Sequence, residues 1–288
     1  MQKYKILFIG LGTMGFNMAT FLAKSKKYDL HIYNRTKNIQ QKWLKQNFAK
    51  AYNFDSDIEF DFIITCVKDD KAIDQVLQKI IKRKCFNKSS ILVDHSTISF
   101  DQVSKIKRIV KSKKFKFADA PITGGEEGAK RGTLSVMVGS SGNTFLKIKK
   151  IINHYSKSIV HMGDVGSGQL TKFTNQILIC GILYSISEAY IFSKKNKLNQ
   201  KKLYEVIKNG AAGSWQFTNR YKTIVDNKFN FGFSTKLMEK DLRYVLRQSN
   251  NNQLNLKLTK SVYSKYKKLQ KTKFKNQDTS SLIKSFKI

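Results

Sequence analysis

Apolar and polar positions follow two periods along the first half of the chain. Stretches with apolar residues at helical spacing, such as 15–26 and 72–83, predict amphipathic helices. They alternate with short apolar runs rich in β-branched residues, and this alternation is typical of a parallel sheet built from βαβ units. The runs that predict strands are residues 5–9, 30–33, 62–66, 91–94 and 115–118.

The pattern changes after Pro121, the single proline of the chain. A glycine-rich hinge at residues 163–168 precedes a long apolar helix, and helical spacing continues from there. We therefore predict an α/β chain in which a Rossmann-type doubly wound sheet domain, residues 1–163, is followed by an all-α domain, residues 164–288, with a long interdomain helix. Between Pro121 and the hinge, the pattern predicts a strand at 134–138, a helix at 144–155 and a short strand at 158–161.

Charge is the most unusual property of the composition. The 288 residues include 54 Lys+Arg against 20 Asp+Glu, a formal net charge of +34, and so strong a field attracts polyanions. Residues 1–160 carry 30 basic and 13 acidic side chains, and residues 161–288 carry 24 and 7, which leaves +17 in each part. An excess spread this evenly favours a general enrichment in lysine over a specific nucleic-acid surface, so we expect only incidental, salt-sensitive polyanion affinity.

Three features of the sequence bear on the compartment in which the protein is found: the cysteines, the histidines and the apolar stretches. Cys66, Cys85 and Cys180 are far apart without CxxC spacing, and the four histidines are scattered, so we expect neither a disulfide framework nor a metal site. A strand-like run begins at Lys5 and leaves no room for a signal peptide. The longest apolar stretch, 177–191, is expected to be too short to span a bilayer and to form a buried core helix. We therefore expect a cytoplasmic protein without membrane association.

A glycine-rich loop lies between the first predicted strand and the first predicted helix. In the GxGxxG pattern the first glycine permits a tight turn, the second lets the backbone approach a pyrophosphate, and the third allows close helix packing. The helix N-terminus then offers N–H groups to the anion. The loop therefore predicts a dinucleotide site at Gly10, Leu11, Gly12, Thr13, Met14 and Gly15.

The end of the second predicted strand bears on the choice of dinucleotide. A carboxylate at this position binds the ribose 2′-hydroxyl of NAD, whereas an arginine accommodates the 2′-phosphate of NADP. The sequence has Asn34, Arg35 and Thr36 here and no acidic residue. NADP is favoured, with NAD as the alternative.

A second glycine-rich loop, Thr123, Gly124 and Gly125, follows Asp119 and Pro121. A threonine and two glycines after a strand can offer backbone N–H groups and one hydroxyl to a small carboxylate. On this motif alone an ordinary glycine-rich turn explains the pattern equally well.

Polar residues share one face of the long helix after the hinge. Lys172, Asn175 and Gln176 are spaced i, i+3 and i+4 among apolar neighbours. A lysine beside a carboxamide in a crevice between two domains can donate a proton to a carbonyl oxygen. In a chain this rich in lysine, Lys172 by itself would be read as an ordinary surface residue.

Taken together, the motifs resemble the β-hydroxyacid dehydrogenase family, which includes 3-hydroxyisobutyrate dehydrogenase and tartronate semialdehyde reductase. The resemblance covers nearly the full length, and the order and the spacing of the motifs both match. They are FIGLGTMGFNMA at residues 8–19, DHSTIS at 94–99, DAPITGGEEGAKRGTLSVMVG at 119–139, GSGQLTKFTNQ at 166–176 and EKDL at 239–242.

The resemblance implies a role for each matching residue. Lys172 would be the catalytic acid/base, and Asn175 would orient the substrate. Val67, Thr97 and Lys240 would contact the cofactor, the last two at its nicotinamide end. The loop of Thr123, Gly124 and Gly125 would hold the substrate carboxylate, with Thr123 keeping the hydroxyl that the family more often supplies from serine. The family fold commonly builds homodimers or homotetramers.

The sequence therefore predicts an NAD(P)-dependent oxidoreductase that moves hydride between nicotinamide and a small β-hydroxy acid or semialdehyde. Two alternatives stay open. One is a non-catalytic binding protein that keeps the dinucleotide fold and has incidental polyanion affinity. The other is an imine reductase, whose relatives typically have a different residue at the position of Lys172.

Overall fold

The computed structural model describes residues 3–286, which divide into two compact units, one extending to Lys172 and the other starting at Phe173. The first contains a nine-stranded sheet. Its strands are β1 (Lys5–Ile9), β2 (Asp29–Tyr33), β3 (Lys50–Ala51), β4 (Phe62–Thr65), β5 (Ile91–Asp94), β6 (Lys116–Asp119), β7 (Ile122–Thr123), β8 (Leu134–Gly139) and β9 (Ser156–Gly163). Its helices are α1 (Thr13–Ser25), α2 (Lys37–Leu44), α3 (Asp70–Lys82), α4 (Phe100–Ser112), α5 (Gly125–Arg131) and α6 (Gly142–Ile152).

The sheet is parallel over most of its width. The strand order is β3-β2-β1-β4-β5-β6-β8-β7, with β9 paired to β8, and the pairs from β3 to β6 are all parallel. The carboxyl ends of these strands therefore meet at one edge, where ligands bind in open α/β sheets. Beyond β6 the sheet becomes mixed, because β8 pairs antiparallel with both β6 and β7. This arrangement confirms the predicted Rossmann-type fold class.

Both faces of the sheet are covered, as the continuous apolar strands require. Along β1, Ile6 and Phe8 lie in one hydrophobic cluster, and Leu7 and Ile9 lie in the other. Successive side chains of a strand point to opposite faces, so a run of four apolar residues supplies both cores at once.

Two helices start two residues before their predicted positions. The helix predicted from residue 72 begins at Asp70, because the side chain of Asp69 accepts a hydrogen bond from the backbone N–H of Ala72. The helix predicted from residue 15 begins at Thr13, after Gly12. Apolar periodicity misses the polar start of α3, whereas the start of α1 lies inside the loop that the GxGxxG motif predicts.

The second unit is built from helices. A long helix, α7 (Ser167–Lys195), crosses the boundary between the units in the sequence. It is followed by α8 (Gln200–Ile207), α9 (Trp215–Val225), α10 (Thr235–Asn251), α11 (Lys257–Leu269) and two short 3₁₀ helices, Lys273–Asn276 and Thr279–Ser285.

Helix α7 supplies side chains to both hydrophobic clusters of the second unit. Cys180 and Leu183 pack in a cluster with residues of α10 and α11, and Ile186 and Tyr190 pack in a second cluster with residues of α8 and α9. The apolar stretch 177–191, expected to be too short to cross a bilayer, lies within the longer helix α7. By length and composition alone, its 29 residues could cross a membrane, although a core helix of a soluble protein passes the same test.

A buried histidine fixes the loop after β5. In His95, Nδ1 lies 2.6 Å from the carbonyl oxygen of Ala120, and Nε2 lies 2.8 Å from the hydroxyl of Tyr155. Burial lowers the pKa of His95 to about 4, so the ring is neutral at neutral pH. Because a carbonyl oxygen can only accept, Nδ1 carries the proton and Nε2 accepts from Tyr155.

This histidine makes the protein sensitive to acid. The pKa of His95 is lower in the folded chain than its ordinary 6.5, so its contribution to stability is complete above pH 6.5 and is lost as the pH falls toward 4. We expect the free energy of unfolding to fall in that window by about 3 kcal/mol more for the wild type than for His95→Gln. Urea denaturation of both proteins between pH 7 and 4 measures this difference, and a constant difference would contradict the assignment.

Candidate active site

Two glycines of the loop after β1 are required by packing, and one is not. A Cβ on Gly10, whose φ is +102°, would overlap the carbonyl oxygen of Cys66, and a Cβ on Gly15 would overlap that of Gly10. By contrast, a Cβ on Gly12 would meet no heavy atom within 4 Å. The open space at the middle glycine is the position where the GxGxxG motif lets a pyrophosphate approach the backbone.

The first turn of α1 lacks an anionic partner within the described residues. Gly12 occupies the N-cap and offers no side-chain acceptor, and no acidic residue lies in the first turn. An uncapped helix N-terminus presents N–H groups and a partial positive charge, which suits a phosphate oxygen. The geometry of Gly10 to Gly15 therefore fits the dinucleotide that the sequence predicts.

Asn34 links the end of β2 to the glycine loop. Its Oδ1 accepts a hydrogen bond from the backbone N–H of Leu11 at 3.0 Å, and its Nδ2 donates to the carbonyl oxygen of Thr36 at 3.0 Å. Its side chain therefore joins the loop after β1 to the loop after β2. An NAD-dependent enzyme has a carboxylate at this position. Arg35 and Thr36, the next two residues, are exposed.

The segment after β5, residues 94–99, is held by a buried carboxylate. Oδ1 of Asp94 accepts hydrogen bonds from Thr65 Oγ1 at 2.7 Å and from Ser96 Oγ at 2.6 Å. Ser96 Oγ in turn accepts from the backbone N–H of Val67 at 2.9 Å. The structure therefore brings Val67 beside the segment that contains Thr97, and a cofactor would meet the side chain or carbonyl of Val67, because its N–H is already bonded.

Asp119, at the end of β6, caps the start of α7. Its Oδ1 accepts from the N–H of Gly166 at 2.6 Å and its Oδ2 accepts from that of Gln169 at 2.8 Å. A Cβ on Gly139 would overlap Oδ1, and one on Gly168 would lie 2.8 Å from Oδ2. Burial raises the pKa of Asp119 to about 6, against the opposing effect of the two N–H groups, so the carboxylate is ionised at neutral pH.

The loop predicted to hold the substrate carboxylate has a backbone that only glycine adopts readily. Gly124 and Gly125 have φ values of +122° and +65°, in a region that is sterically costly for residues with a Cβ. Both are exposed, and Thr123, which precedes them in β7, is half-buried. Thr123 pairs in the sheet with Ser135 of β8, which fixes the start of the loop.

Two acidic side chains follow this loop in the first turn of α5. Glu126 pairs with Lys130 at 2.7 Å, and Glu127 pairs with Arg131 at 2.6 Å. These i, i+4 pairs reduce the negative charge that an approaching carboxylate meets.

Lys172 is buried beside the same loop. Its Nζ donates a hydrogen bond to the carbonyl oxygen of Ile122 at 2.9 Å, and the residue is 8% exposed. Ile122 immediately precedes Thr123, so the ammonium group lies next to the predicted carboxylate loop. Lys172 is therefore not an ordinary surface lysine.

In the second unit, a buried carboxylate brings two other predicted site residues into one network. Asn175 Nδ2 donates to Gln176 Oε1 at 2.9 Å, and Gln176 Nε2 donates to Asp241 Oδ2 at 2.6 Å. The ammonium group of Lys240 lies 3.1 Å from Asp241 Oδ1. Asp241 therefore holds both Lys240 and the amide pair of α7.

Sequence analysis did not single out the buried residues that support these groups, namely Ser96, Gln169 and Asp241. Each lies inside a quoted motif, next to or one helical turn from a predicted site residue. Each is adjacent to another polar, charged or glycine residue, so no local signal distinguished it, and its partner could not be read from the sequence. Over residues 3–286, no cluster of three or more His, Cys, Asp or Glu side chains could hold a metal ion.

Comparison with known proteins identifies the family of the chain. Residues 5–163 match the family described as the NAD binding domain of 6-phosphogluconate dehydrogenase, and residues 166–286 match NAD-binding of NADP-dependent 3-hydroxyisobutyrate dehydrogenase. An uncharacterized oxidoreductase of Shewanella frigidimarina is 38% identical over 284 residues, 97% of each chain. The 2-hydroxy-3-oxopropionate reductase of Escherichia coli is 29% identical over 99% of this chain and 97% of its own.

The fold is shared with a solved structure. The 3-hydroxyisobutyrate dehydrogenase of Mycobacterium tuberculosis, solved with L-serine, has a TM-score of 0.90 at 22% identity, with 100% of both chains covered. Motifs, fold and family matches therefore agree that this chain belongs to the β-hydroxyacid dehydrogenase family of NAD(P)-dependent oxidoreductases.

Proposed function

We propose that the protein interconverts a small β-hydroxy acid and its semialdehyde, with Lys172 as the general acid and base. The observation that carries this proposal is the buried ammonium group of Lys172, bonded to the Ile122 carbonyl beside Thr123. A proton donor next to a carboxylate-binding loop fits a substrate that has a carbonyl close to its carboxylate. The names of two relatives, 2-hydroxy-3-oxopropionate reductase and 3-hydroxyisobutyrate dehydrogenase, describe such molecules.

The dinucleotide supplies or accepts the hydride when it is bound. We assign its pyrophosphate to residues 10–15, because the space at Gly12 and the uncapped turn of α1 both suit an anion. Val67, Thr97 and Lys240 complete the proposed cofactor site, with residues 1–163 as its main domain and residues 164–288 as the helical domain.

NADP is the preferred dinucleotide in this proposal. The side-chain oxygen of Asn34 accepts a hydrogen bond from the N–H of Leu11. The amide of Asn34 carries no negative charge that would repel a 2′-phosphate. Arg35 follows with an exposed guanidinium group, which can form charge-assisted hydrogen bonds to phosphate.

In the reduction direction, Lys172 donates a proton from Nζ to the substrate oxygen, and in the oxidation direction it takes the proton back. Its bond to Ile122 holds Nζ in place while one proton is transferred. Thr123, Gly124 and Gly125 bind the substrate carboxylate, and Asn175, held by Gln176, orients the reacting end. Holding the substrate at both ends orients its reacting carbon and oxygen relative to the catalytic groups, and such orientation is a large part of the rate enhancement in these reactions.

We also propose a cytoplasmic homodimer or homotetramer. Helix α7 exposes Leu178 and Phe192, which are 60% and 69% accessible, and exposed large apolar side chains favour association. Cys85 and Cys180 are buried and free, as a reducing compartment allows.

The glycine loop gives a test of cofactor placement that does not depend on turnover. Gly12→Ala should fold normally, because the added methyl group has space, yet it should raise the Kd for the dinucleotide about tenfold or more by blocking the pyrophosphate. Titration of reduced nicotinamide fluorescence measures the Kd, and thermal denaturation measures the fold. Gly142→Ala, at a glycine with equally open surroundings, is the control and should change neither value. Unchanged affinity in Gly12→Ala would remove the pyrophosphate from this loop.

Arg35→Ala tests the choice between dinucleotides. Loss of a charge-assisted contact should lower kcat/KM for NADP(H) by about 10- to 100-fold and leave that for NAD(H) nearly unchanged. Lys42→Ala removes a positive charge from the last turn of α2 and controls for the general field. A wild-type enzyme that prefers NAD(H) tenfold would be incompatible with the proposal.

Lys172→Ala tests the acid/base assignment. We expect kcat to fall by about 10²- to 10⁴-fold, while the dinucleotide still binds, because its pyrophosphate contacts lie in residues 10–15. Lys172→Arg should not restore turnover, since a guanidinium group is too weak an acid to donate the proton. Asn175→Ala should impair kcat and KM by a smaller factor. Steady-state assays with a panel of semialdehydes and hydroxy acids provide the measurement, and near-normal turnover in Lys172→Ala would refute the role.

A further inference from the structure

Gln169 is a fully buried amide on the first turn of α7. Its Nε2 donates a hydrogen bond to the carbonyl oxygen of Ser96 at 2.6 Å, and its Oε1 accepts one from the backbone N–H of Ile98 at 3.3 Å. These two backbone groups flank Thr97. One side-chain amide therefore pairs with the main chain on both sides of that residue, in the way a neighbouring strand would.

The position of Gln169 is itself fixed by bonds on the same helix turn. Its backbone N–H donates to Asp119 at 2.8 Å, and Lys172, three residues further along the same face, donates to Ile122 at 2.9 Å. The backbone of Gln169 therefore cannot shift without moving the helix turn that carries Lys172.

The segment that Gln169 contacts is anchored at both of its ends. Ser96 is bonded to Asp94 at 2.6 Å, and the backbone N–H of Ser99 donates to Asp70 at 2.9 Å. Between these anchors, the pair of bonds from Gln169 sets the path of the backbone through residue 97.

We propose that Gln169 is a positioning residue that sets Thr97, at the nicotinamide end of the cofactor, in register with the proton donor Lys172. This rests on the proposed function, in which Thr97 contacts the nicotinamide and Lys172 transfers the proton. Hydride and proton move in one reaction, so an error of about 1 Å between the two groups costs about 100-fold in rate. An amide suits this role because it can donate to a carbonyl and accept from an N–H at the same time.

The test compares two variants of Gln169 with a matched buried amide elsewhere. Gln169→Leu removes both hydrogen bonds, and Gln169→Glu keeps the shape of the side chain but in its ionised form has no proton to give to Ser96. Gln102→Leu is the control, because Gln102 is also buried, lies on α4 in the same unit and is bonded to Asp74.

Two readouts separate positioning from loss of folded protein. The first is the fluorescence lifetime of bound NADPH, which reports the surroundings of the nicotinamide and needs no substrate. The second is the single-turnover rate constant for hydride transfer at saturating cofactor, which does not depend on the fraction of protein that is folded. We expect both Gln169 variants to change the lifetime and to lower the rate constant by about 10- to 100-fold, with the Kd of NADPH within about threefold of the wild type. Gln102→Leu should match the wild type in both readouts.

The outcomes distinguish this inference from the proposed function. If the lifetime or the hydride-transfer rate of the Gln169 variants equals that of the control, Gln169 does not position the nicotinamide end and the inference is overturned. If wild-type protein binds NADPH but reduces no semialdehyde in the panel, the proposed function fails, and the lifetimes alone then decide whether Gln169 shapes the cofactor site.

Discussion

The ion-to-backbone contact between Asp119 and the first turn of α7 is the interaction on which the site of the first unit depends. A carboxylate bonded to N-terminal N–H groups stabilises a helix through both hydrogen bonds and the helix dipole. Here the carboxylate comes from the end of β6, so one contact joins the sheet to the helix. The side chain of Gln169 bonds to Ser96 from the same turn, and Lys172 bonds to Ile122 from the next, so the geometry of both bonds depends on where this cap starts the helix.

The loops at the carboxyl edge of the sheet are joined to one another by polar side chains. Asn34 ties the end of β2 to the glycine loop, and Ser96 ties the segment after β5 to Val67 after β4. Apolar packing fixes the strands, whose side chains enter both cores, but it cannot fix loops whose backbone groups need partners. Hydrogen bonds to side-chain amides, hydroxyls and carboxylates fix these loops instead. A backbone N–H that is bonded in this way can no longer bind a ligand.

The fold and the motif positions were predictable from the sequence because strand runs, helical spacing and glycine patterns are local signals. The starts of α1 and α3 were missed by two residues: the first turn of α3 begins with the polar pair Asp70 and Lys71, and α1 begins inside the predicted glycine loop. The partner of Lys172 was beyond sequence reasoning, because it is a backbone carbonyl fifty residues away with no side-chain signature. The same holds for Gln169 and Asp241, whose roles depend on contacts made only after the chain has folded.

Four carboxylates, Asp94, Asp119, Asp241 and Asp278, are completely buried, in a chain with only 20 acidic residues. Each accepts hydrogen bonds that define a loop, a helix start or a side-chain network. By contrast, nearly all the lysines among the described residues lie on the solvated surface, where a charge can be added or removed at little energetic cost. The two signs of charge are therefore divided by environment: the four buried negative charges serve as acceptors for donors that water cannot reach, and the positive charges are solvated.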